Sequence, residues 1–483
     1  MLSEELTDLV NQIRSLKAKP QNFALKDAAV GCPLHLYGTL SAFANQDAGG
    51  ILIFGISEDD GFSVTGVYDL QDLQKKVTEQ CKQMVPPIRA LFTVAEIDGK
   101  SVCSAEIPAA DPADRPCFYS GAGRLKGSYV RVGDADLPMT EYEIYSYEAY
   151  RKRVRDDERT DVQVTLALLD QDKVQSYIER MKAERPGFSK LDRQQICEML
   201  AITRGGIPTL AAVLNFGIYP QGCFPQLAVT AIVVPGTEIG DISEDGTRFQ
   251  DNRRIEGTLQ DMLAAALSFC KRNMKVQTRI DPETGARSDK TEYPMEAIRE
   301  AVLNALIHRD YSRFTEGTPV QLDFFVNRLE IHSPGGLYGR LTVKELGKVR
   351  PDLRNPALAA MSEFLLNTEN RYSGIPTIRR EMKEAGLPEP VFEDRRNEFV
   401  VTLYNTPQTA AAEQHAPERS REDLLAYCKV PRSRQEIADH LGISTVFYVM
   451  KAFVRPLLQS GALKMTIPDK PASRKQKFVA AKQ

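Results

Sequence analysis

Hydrophobic and polar positions divide the chain into segments with different periods. The opening stretch, MLSEELTDLVNQIRSLKAK, spaces its apolar residues for one face of an amphipathic helix. From there to about residue 150, short apolar runs are punctuated by Gly and Pro. ILIFGIS, SVTGVY, LFTVAEI, KSVCSAEIP and GSYVRVG read as strands joined by tight turns. In SAFANQDAGGILIFGIS a helix ends at Asn45, and Gly49 and Gly50 turn the chain into a strand whose unbroken apolar run predicts a buried strand. The charged run RKRVRDDER at 151–159 reads as a helix end entering a linker. Residues 160–290 mix helices with the strand pattern LAVTAIVV at 227–234, and RGGIPTLAAVLNFGIYPQGCFPQ reads as loop and helix in turn. Residues 291–405 open with the helix PMEAIREAVLNALIHR, continue with strands VQLDFFV and RLEIHS, and close with a helix near IPTIRREMKEAG and the strand EFVVTLY. A polar, Ala-rich linker follows at 406–417.

The segment 418–483 is the most readable. REDLLAYC is a short amphipathic helix. Ser433 and Glu436 have the spacing of a capping box, so a second helix, RQEIADHL, starts there and Gly442 ends it. Ser444 caps a third helix, TVFYVMKAFVRPLLQS, which Gly461 ends. ALKMTIP and KQKFVAA then read as two strands around DKPASR. Three helices followed by a β-ribbon predict a winged helix-turn-helix.

Charge sharpens that picture. From Glu418 onward thirteen Lys and Arg stand against six Asp and Glu, a net of +7, which leaves about −10 for the rest of a chain whose total is −3. A basic terminal module on an acidic body points to a polyanion as partner, here double-stranded DNA. The length of 483 residues suggests several domains, at about 150 residues each. No apolar run approaches the roughly 20 residues of a membrane helix, and the N-terminal helix has no signal-peptide core, so a cytoplasmic location away from membranes is expected. Eight Cys are scattered with no C-x-x-C pair, the pattern of reduced thiols with no metal site.

On the third helix Thr445, Tyr448 and Lys451 are the candidates for DNA contact; on the wing they are Arg474, Lys475 and Lys477. The bland alternative is a solvated basic face. The third helix also begins with Thr, Val, Phe and Tyr, and is poor in side chains that read base edges, so docking on protein stays open. In EAIREAVLNALIHRDYS, Glu300 and Asn304 lie one turn apart on one helix face. Asn in an apolar helix needs a polar partner; by spacing alone it either ties down a loop or lines a site.

The block from YPMEAIREAVLNALIHRDYS through NRLEIHSPGGLYG, LRNPALAA and ENRYSGIPTIRREMKEAGLPEPVF resembles the divergent GHKL ATPase-like domain of predicted bacterial transcriptional regulators. That resemblance places Glu300 and Asn304 on the family's N-box. It places Pro334, Gly335 and Gly336 on its Asp-x-Gly-x-Gly box and Tyr372, Ser373 and Gly374 on its second glycine box. ATP with Mg²⁺ is the cofactor it implies. The adenine-contacting Asp is absent and the second box is short of Gly, which weighs against ATP hydrolysis and weakens the case for ATP binding. SAFANQDAGGILIFGISEDDG with PCFYSGAGRLKGSYVRVG resembles the Schlafen AlbA-like domain over about residues 20–145. Some Schlafen proteins cut RNA with carboxylates. Here QNFALKDAA puts Ala24 where an acid belongs, and Asp27 and Asp47 do not complete the pattern, so no catalytic residue and no bound metal are expected. Arg124, Lys126 and Arg131 remain candidates for nucleic-acid contact, or cover an edge strand.

These readings give an α/β (α+β) multidomain chain: an AlbA-like domain (1–150), a connecting α/β region that begins the ATPase-like domain (151–290), a GHKL-like α/β sandwich (291–405), the linker and the winged helix. The function they imply is a homodimeric transcriptional regulator that responds to a small-molecule or nucleotide effector. An ATP-binding or nucleic-acid-processing defence enzyme and a protein-binding scaffold are the alternatives.

Overall fold

The computed structural model describes residues 1–243, 245–280, 287–366, 373–395 and 397–405. In the C-terminal segment it describes 424–425, 427–440, 454, 457–458, 462–466 and 476–480. The chain forms two compact units, Met1–Leu403 and Tyr404–Gln483.

Helix α1 (Ser3–Leu16) buries Leu6, Val10 and Ile13, the three positions its helical period brings to one face. Strand β1 (Phe23–Lys26), helix α2 (Tyr37–Ala44), strand β2 (Gly50–Phe54), helix α3 (Leu70–Lys82), and strands β3 (Leu91–Ile97) and β4 (Lys100–Ile107) follow. The sheet order is β1–β2–β4–β3, with β1 parallel to β2 and the other pairs antiparallel. Strand β2 lies inside the sheet. Its Ile53 joins the core under α1, while Leu52 and Phe54 join the core with Phe43 and Val77 on the other face. That two-sided burial is why the run ILIF does not alternate. Gly49, at φ +66°, leaves no room for a side chain, since a Cβ there would stand 2.4 Å from the Ile107 carbonyl oxygen. Asn45, buried at the end of α2, accepts from the Cys117 N–H (2.7 Å) and donates to the carbonyls of Cys117 (3.0 Å) and Tyr129 (3.1 Å). The Asn of the SAFAN motif thus ties two distant segments to the helix end.

Helix α4 (Glu141–Lys152) opens with a capping box between Thr140 and Glu143. Beyond it one continuous core runs from Val164 to Leu403. Its frame is a sheet built from β5 (Val229–Val233), β6 (Asp251–Ile255), β7 (Val320–Phe324), β8 (Arg328–Pro334), β9 (Val391–Arg395) and β10 (Glu398–Tyr404), in the order β6–β5–β7–β8–β10–β9. The pair β5/β7 is parallel. The crossover between them contains the helices α5 (Leu259–Asn273) and α6 (Met295–His308), as a parallel pair requires. Along β7 and β8, Val320, Leu322, Phe324, Leu329 and Ile331 enter the core, while Gln321, Asp323, Glu330 and His332 occupy the opposite face. Helices α7 (Pro356–Leu366) and α8 (Gly374–Glu384) complete this half. No helix among the described residues is long and apolar enough to cross a membrane.

In the second unit, strand β11 (Arg432–Ser433) leads into helix α9 (Arg434–His440), and strands β12 (Leu463–Met465) and β13 (Lys477–Ala480) follow. The sheet order is β11–β13–β12, with both pairs antiparallel. Leu424, Cys428, Ile437, Val454, Leu457, Leu463 and Phe478 form its core. The capping box read from Ser433 and Glu436 is present: the Ser433 N–H donates to Glu436 Oε2 (2.7 Å) and the Glu436 N–H to Ser433 Oγ (3.3 Å). Gly442, Ser444, Thr445, Tyr448, Lys451, Gly461, Arg474 and Lys475 lie outside the described residues.

Candidate functional site

Helix α6 starts after Pro294 and buries Ala297, Ile298, Ala301, Val302 and Ala305. Glu300 and Asn304 sit at the edge of this stripe, one turn apart and half-buried. Opposite them α8 begins at Gly374. A Cβ on Gly374 would come within 3.0 Å of both Glu300 Oε2 and Asn304 Nδ2. A bare glycine at the start of a helix therefore rests against a carboxylate and an amide, a cradle open only because no side chain fills it.

The opposite wall is formed where β8 runs out. Gly335 has φ +92° and its N–H donates to the Asn397 carbonyl (2.7 Å). A Cβ there would stand 2.4 Å from Asp310 Cβ and 2.7 Å from Arg354 Nη1, so this turn requires glycine. Arg354 Nη2 donates to the Gly336 carbonyl (2.9 Å) and its guanidinium lies 5.1 Å from the centre of the Tyr338 ring.

Between the walls is a cavity of about 430 Å³. It brings together Glu300, Asn304, Gly335, Gly336 and Gly374, the five residues singled out from the sequence for a nucleotide site. It adds His308, Tyr338, Asp352 and Arg354, which that reading did not single out. The signal for two of them was present in HRDYS and LRNPALAA, but neither motif by itself says that its His or Arg lines this cavity.

Arg299 pairs with Glu300 at 2.7 Å and with Glu296 at 3.3 Å. Burial pushes the Glu300 carboxyl above the usual carboxylate range, against the pull of the Arg299 charge. His308, exposed toward the cavity, is crowded by the walls and lies near the charge of Arg354, and both lower its imidazole from the usual range. Asp352 accepts from the Tyr150 hydroxyl (2.9 Å), and Asp310, behind Gly335, accepts from the Tyr142 hydroxyl (2.9 Å). Both tyrosines belong to α4, which follows the first sheet.

The fit to a nucleotide differs between the two ends. The Glu300–Asn304–Gly374 cradle suits a polar or phosphate group. At the Gly335–Gly336 end the side chain against the backbone is a guanidinium, a pure donor. An adenine amino group, itself a donor, finds no acceptor in it.

The basic residues proposed for nucleic-acid contact in the first half are placed unequally. Lys126 is exposed. Arg124 is half-buried, ion-paired with Glu148 and stacked over Phe118. Arg131 corrects the expectation: its side chain is 3% exposed, paired with Asp136 (2.8 Å) and Asp134 (3.0 Å), and it donates to the carbonyls of Gln21 and Phe23. It clamps the segment entering β1 and presents no free charge. Ala24 is buried in β1. Asp27 accepts from the Ala29 N–H (3.0 Å) and the Thr65 hydroxyl (2.9 Å), while Asp47 pairs with Arg115 (2.7 Å). Lys477, in β13, is exposed.

Comparison with known proteins assigns the parts. Residues 14–140 match the family model "Schlafen, AlbA_2". Residues 317–403 match the HATPase family model described as "Putative ATP-dependent DNA helicase recG C-terminal". The chain is thus a mixed α/β multidomain protein with a Schlafen AlbA_2 domain and a RecG-C-terminal, ATPase-like domain. Gly335, Gly336 and Gly374 fall within the second match; Glu300 and Asn304 precede it. Residues 422–479 match "Filamentation induced by cAMP protein Fic-like, C-terminal domain", where the sequence reading named a winged helix-turn-helix. No curated protein matches the chain. Among solved structures, the DIP2311 protein from Corynebacterium diphtheriae is 19% identical, covering 99% of this chain and 97% of its own, with a TM-score of 0.39. The N-terminal domain of a RecG-related helicase protein from Nitrosomonas europaea is 24% identical over 28% of this chain and 92% of its own, TM-score 0.23. A Fic family protein from Desulfovibrio desulfuricans is 11% identical over 53% of this chain and 62% of its own, TM-score 0.13.

Proposed function

We propose that this chain is a DNA-binding transcriptional regulator whose ATPase-like domain receives an effector. The observation that carries the reading is the cavity between α6, α8 and the end of β8, in which five residues from three separate motifs meet. Its walls are held from α4 by Tyr142 on Asp310 and Tyr150 on Asp352. Arg340, just beyond the Gly-rich turn, pairs with Asp111 of the AlbA_2 domain (3.0 Å). A ligand that shifts this wall therefore acts on contacts that reach the first domain.

Binding of DNA is assigned to the basic segment from Glu418 onward, with its helices and ribbon acting as a winged helix-turn-helix. Lys477 and its neighbours Arg474 and Lys475 are assigned to the phosphates, and Thr445, Tyr448 and Lys451 to the groove. A homodimer suits a two-fold operator. The match of residues 317–403 to a family model described by a DNA helicase supports a nucleic-acid partner.

The test is fluorescence anisotropy with duplex DNA from upstream of the protein's own coding sequence against random duplex of equal length. The reading expects preference for the former and a several-fold loss on Lys477→Glu. Equal affinity for both duplexes contradicts it. Calorimetry with ATP on the wild type and Asn304→Ala tests whether the effector is a nucleotide; heat of binding in neither removes ATP as the candidate.

A further inference from the structure

Arg354 is buried, 8% exposed, yet it makes no ion pair among the described residues. Its hydrogen bond is the one from Nη2 to the Gly336 carbonyl, and Nη1 has no partner. Four carboxylates stand near it, and each is engaged elsewhere; Asp156 accepts from the Tyr145 hydroxyl (2.6 Å). Asp310 accepts from Tyr142 and from the Ser312 N–H (2.7 Å). Asp352 accepts from Tyr150 and pairs with Arg153 (3.5 Å). Asp394 accepts from the Leu337 N–H (3.3 Å), and burial pushes its carboxyl up, which weakens it as a counter-charge. His308, across the same cavity, supplies no carboxylate to it. A buried guanidinium with unused donors and no paired anion is costly unless something else completes it.

From the sheet, Ile331, Phe399 and Val401 give the lining an apolar wall, while α6 and α8 add the charged Glu296, Arg299, Glu300 and Arg380. We propose that the cavity takes a small organic oxyanion, a carboxylate or phosphate on an apolar body, with the oxyanion on Arg354 and the body against α6 and the sheet. This rests on the cavity being the effector site and is independent of DNA binding. It differs from an adenine-first occupancy, because the group that meets Gly335–Gly336 is an acceptor.

The test is calorimetry on the full chain with matched probes: benzoate against benzamide, and phenyl phosphate against phenol. The wild type is expected to bind at least one anion at a single site, about tenfold or more tighter than its neutral partner. The pair that shows the difference tells a carboxylate from a phosphate ligand. Arg354→Met, checked for folding by circular dichroism, is expected to lose that preference. Arg354→Lys, which keeps the charge, retains part of it. Equal binding of charged and neutral probes, no binding of either anion, or a preference that survives in folded Arg354→Met overturns the proposal. If Arg354→Met does not fold, the wild-type anion preference together with its reduction in Arg354→Lys decides, and an unchanged preference in Arg354→Lys overturns it. DNA anisotropy on the same samples separates this failure from that of the regulator reading, since a loss of anion preference leaves duplex affinity unchanged.

Discussion

Arg131 and Gly50 show how single residues set the first domain. Arg131 binds two carbonyls more than 100 positions earlier and two carboxylates close by. Removing Arg131 leaves the buried Phe23 carbonyl and the largely buried Asp136 carboxylate without their donor. Arg131→Ala is therefore expected to cost on the order of 3 kcal/mol of stability, read by urea denaturation; a change within experimental scatter would show that the clamp is idle. A Cβ on Gly50 would lie 2.3 Å from the Phe43 ring. Gly50→Ala is expected to destabilise by about 1–3 kcal/mol through overpacking, whereas Gly31→Ala, with open space around it, serves as the neutral control. Similar losses in both would contradict the packing argument. The sequence made the Gly49–Gly50 turn legible because a tight turn is local chemistry. It left Arg131 ambiguous because its carbonyl partners lie far away along the chain.

Asp157 joins elements. It sits in the turn after α4, and its Oδ2 accepts from the N–H groups of Ala357 (2.8 Å) and Leu358 (3.0 Å) at the start of α7. Oδ1 is buried without a partner. Burial pushes the carboxyl up to about 6. The unfolded value is near 4, so the folded state holds the proton more tightly. The stability this group lends is full below about pH 4 and is lost as pH rises through about 6. Asp157→Asn does not titrate. The stability of wild type relative to this variant should fall by about 2 kcal/mol between pH 4 and 7, measured by denaturant titration at each pH. A gap that stays constant would mean that Asp157 does not titrate in this window.

At the same scale, elements with local signals were readable. The capping box of Ser433 and Glu436, the helix α6 and the alternation of VQLDF all appear where the pattern puts them. The strand order β6–β5–β7–β8–β10–β9 was not readable, since pairing between distant strands leaves no local periodicity. Arg354 was missed for a similar reason: LRNP reads as a loop, and only the fold carries it to the carbonyl of Gly336.

For the whole molecule the division of charge matters most. A net of +7 from Glu418 onward opposes about −10 elsewhere. A net negative charge over the rest of the chain disfavours DNA there, so the salt sensitivity of binding should follow from the terminal segment. The proposed effector cavity lies in the first unit, and the proposed DNA contact in the second. The account therefore predicts that Arg354→Met alters anion binding without altering the charge that meets DNA.

The most direct measurement is the affinity of the full chain for its own upstream duplex as salt is raised from 50 to 200 mM. The account predicts tighter binding than to random duplex, falling by about tenfold or more over that range, with a shallower slope for Lys477→Glu. Binding that is absent, indifferent to salt, or equal for the two duplexes would contradict the claim that this protein is a DNA-binding regulator.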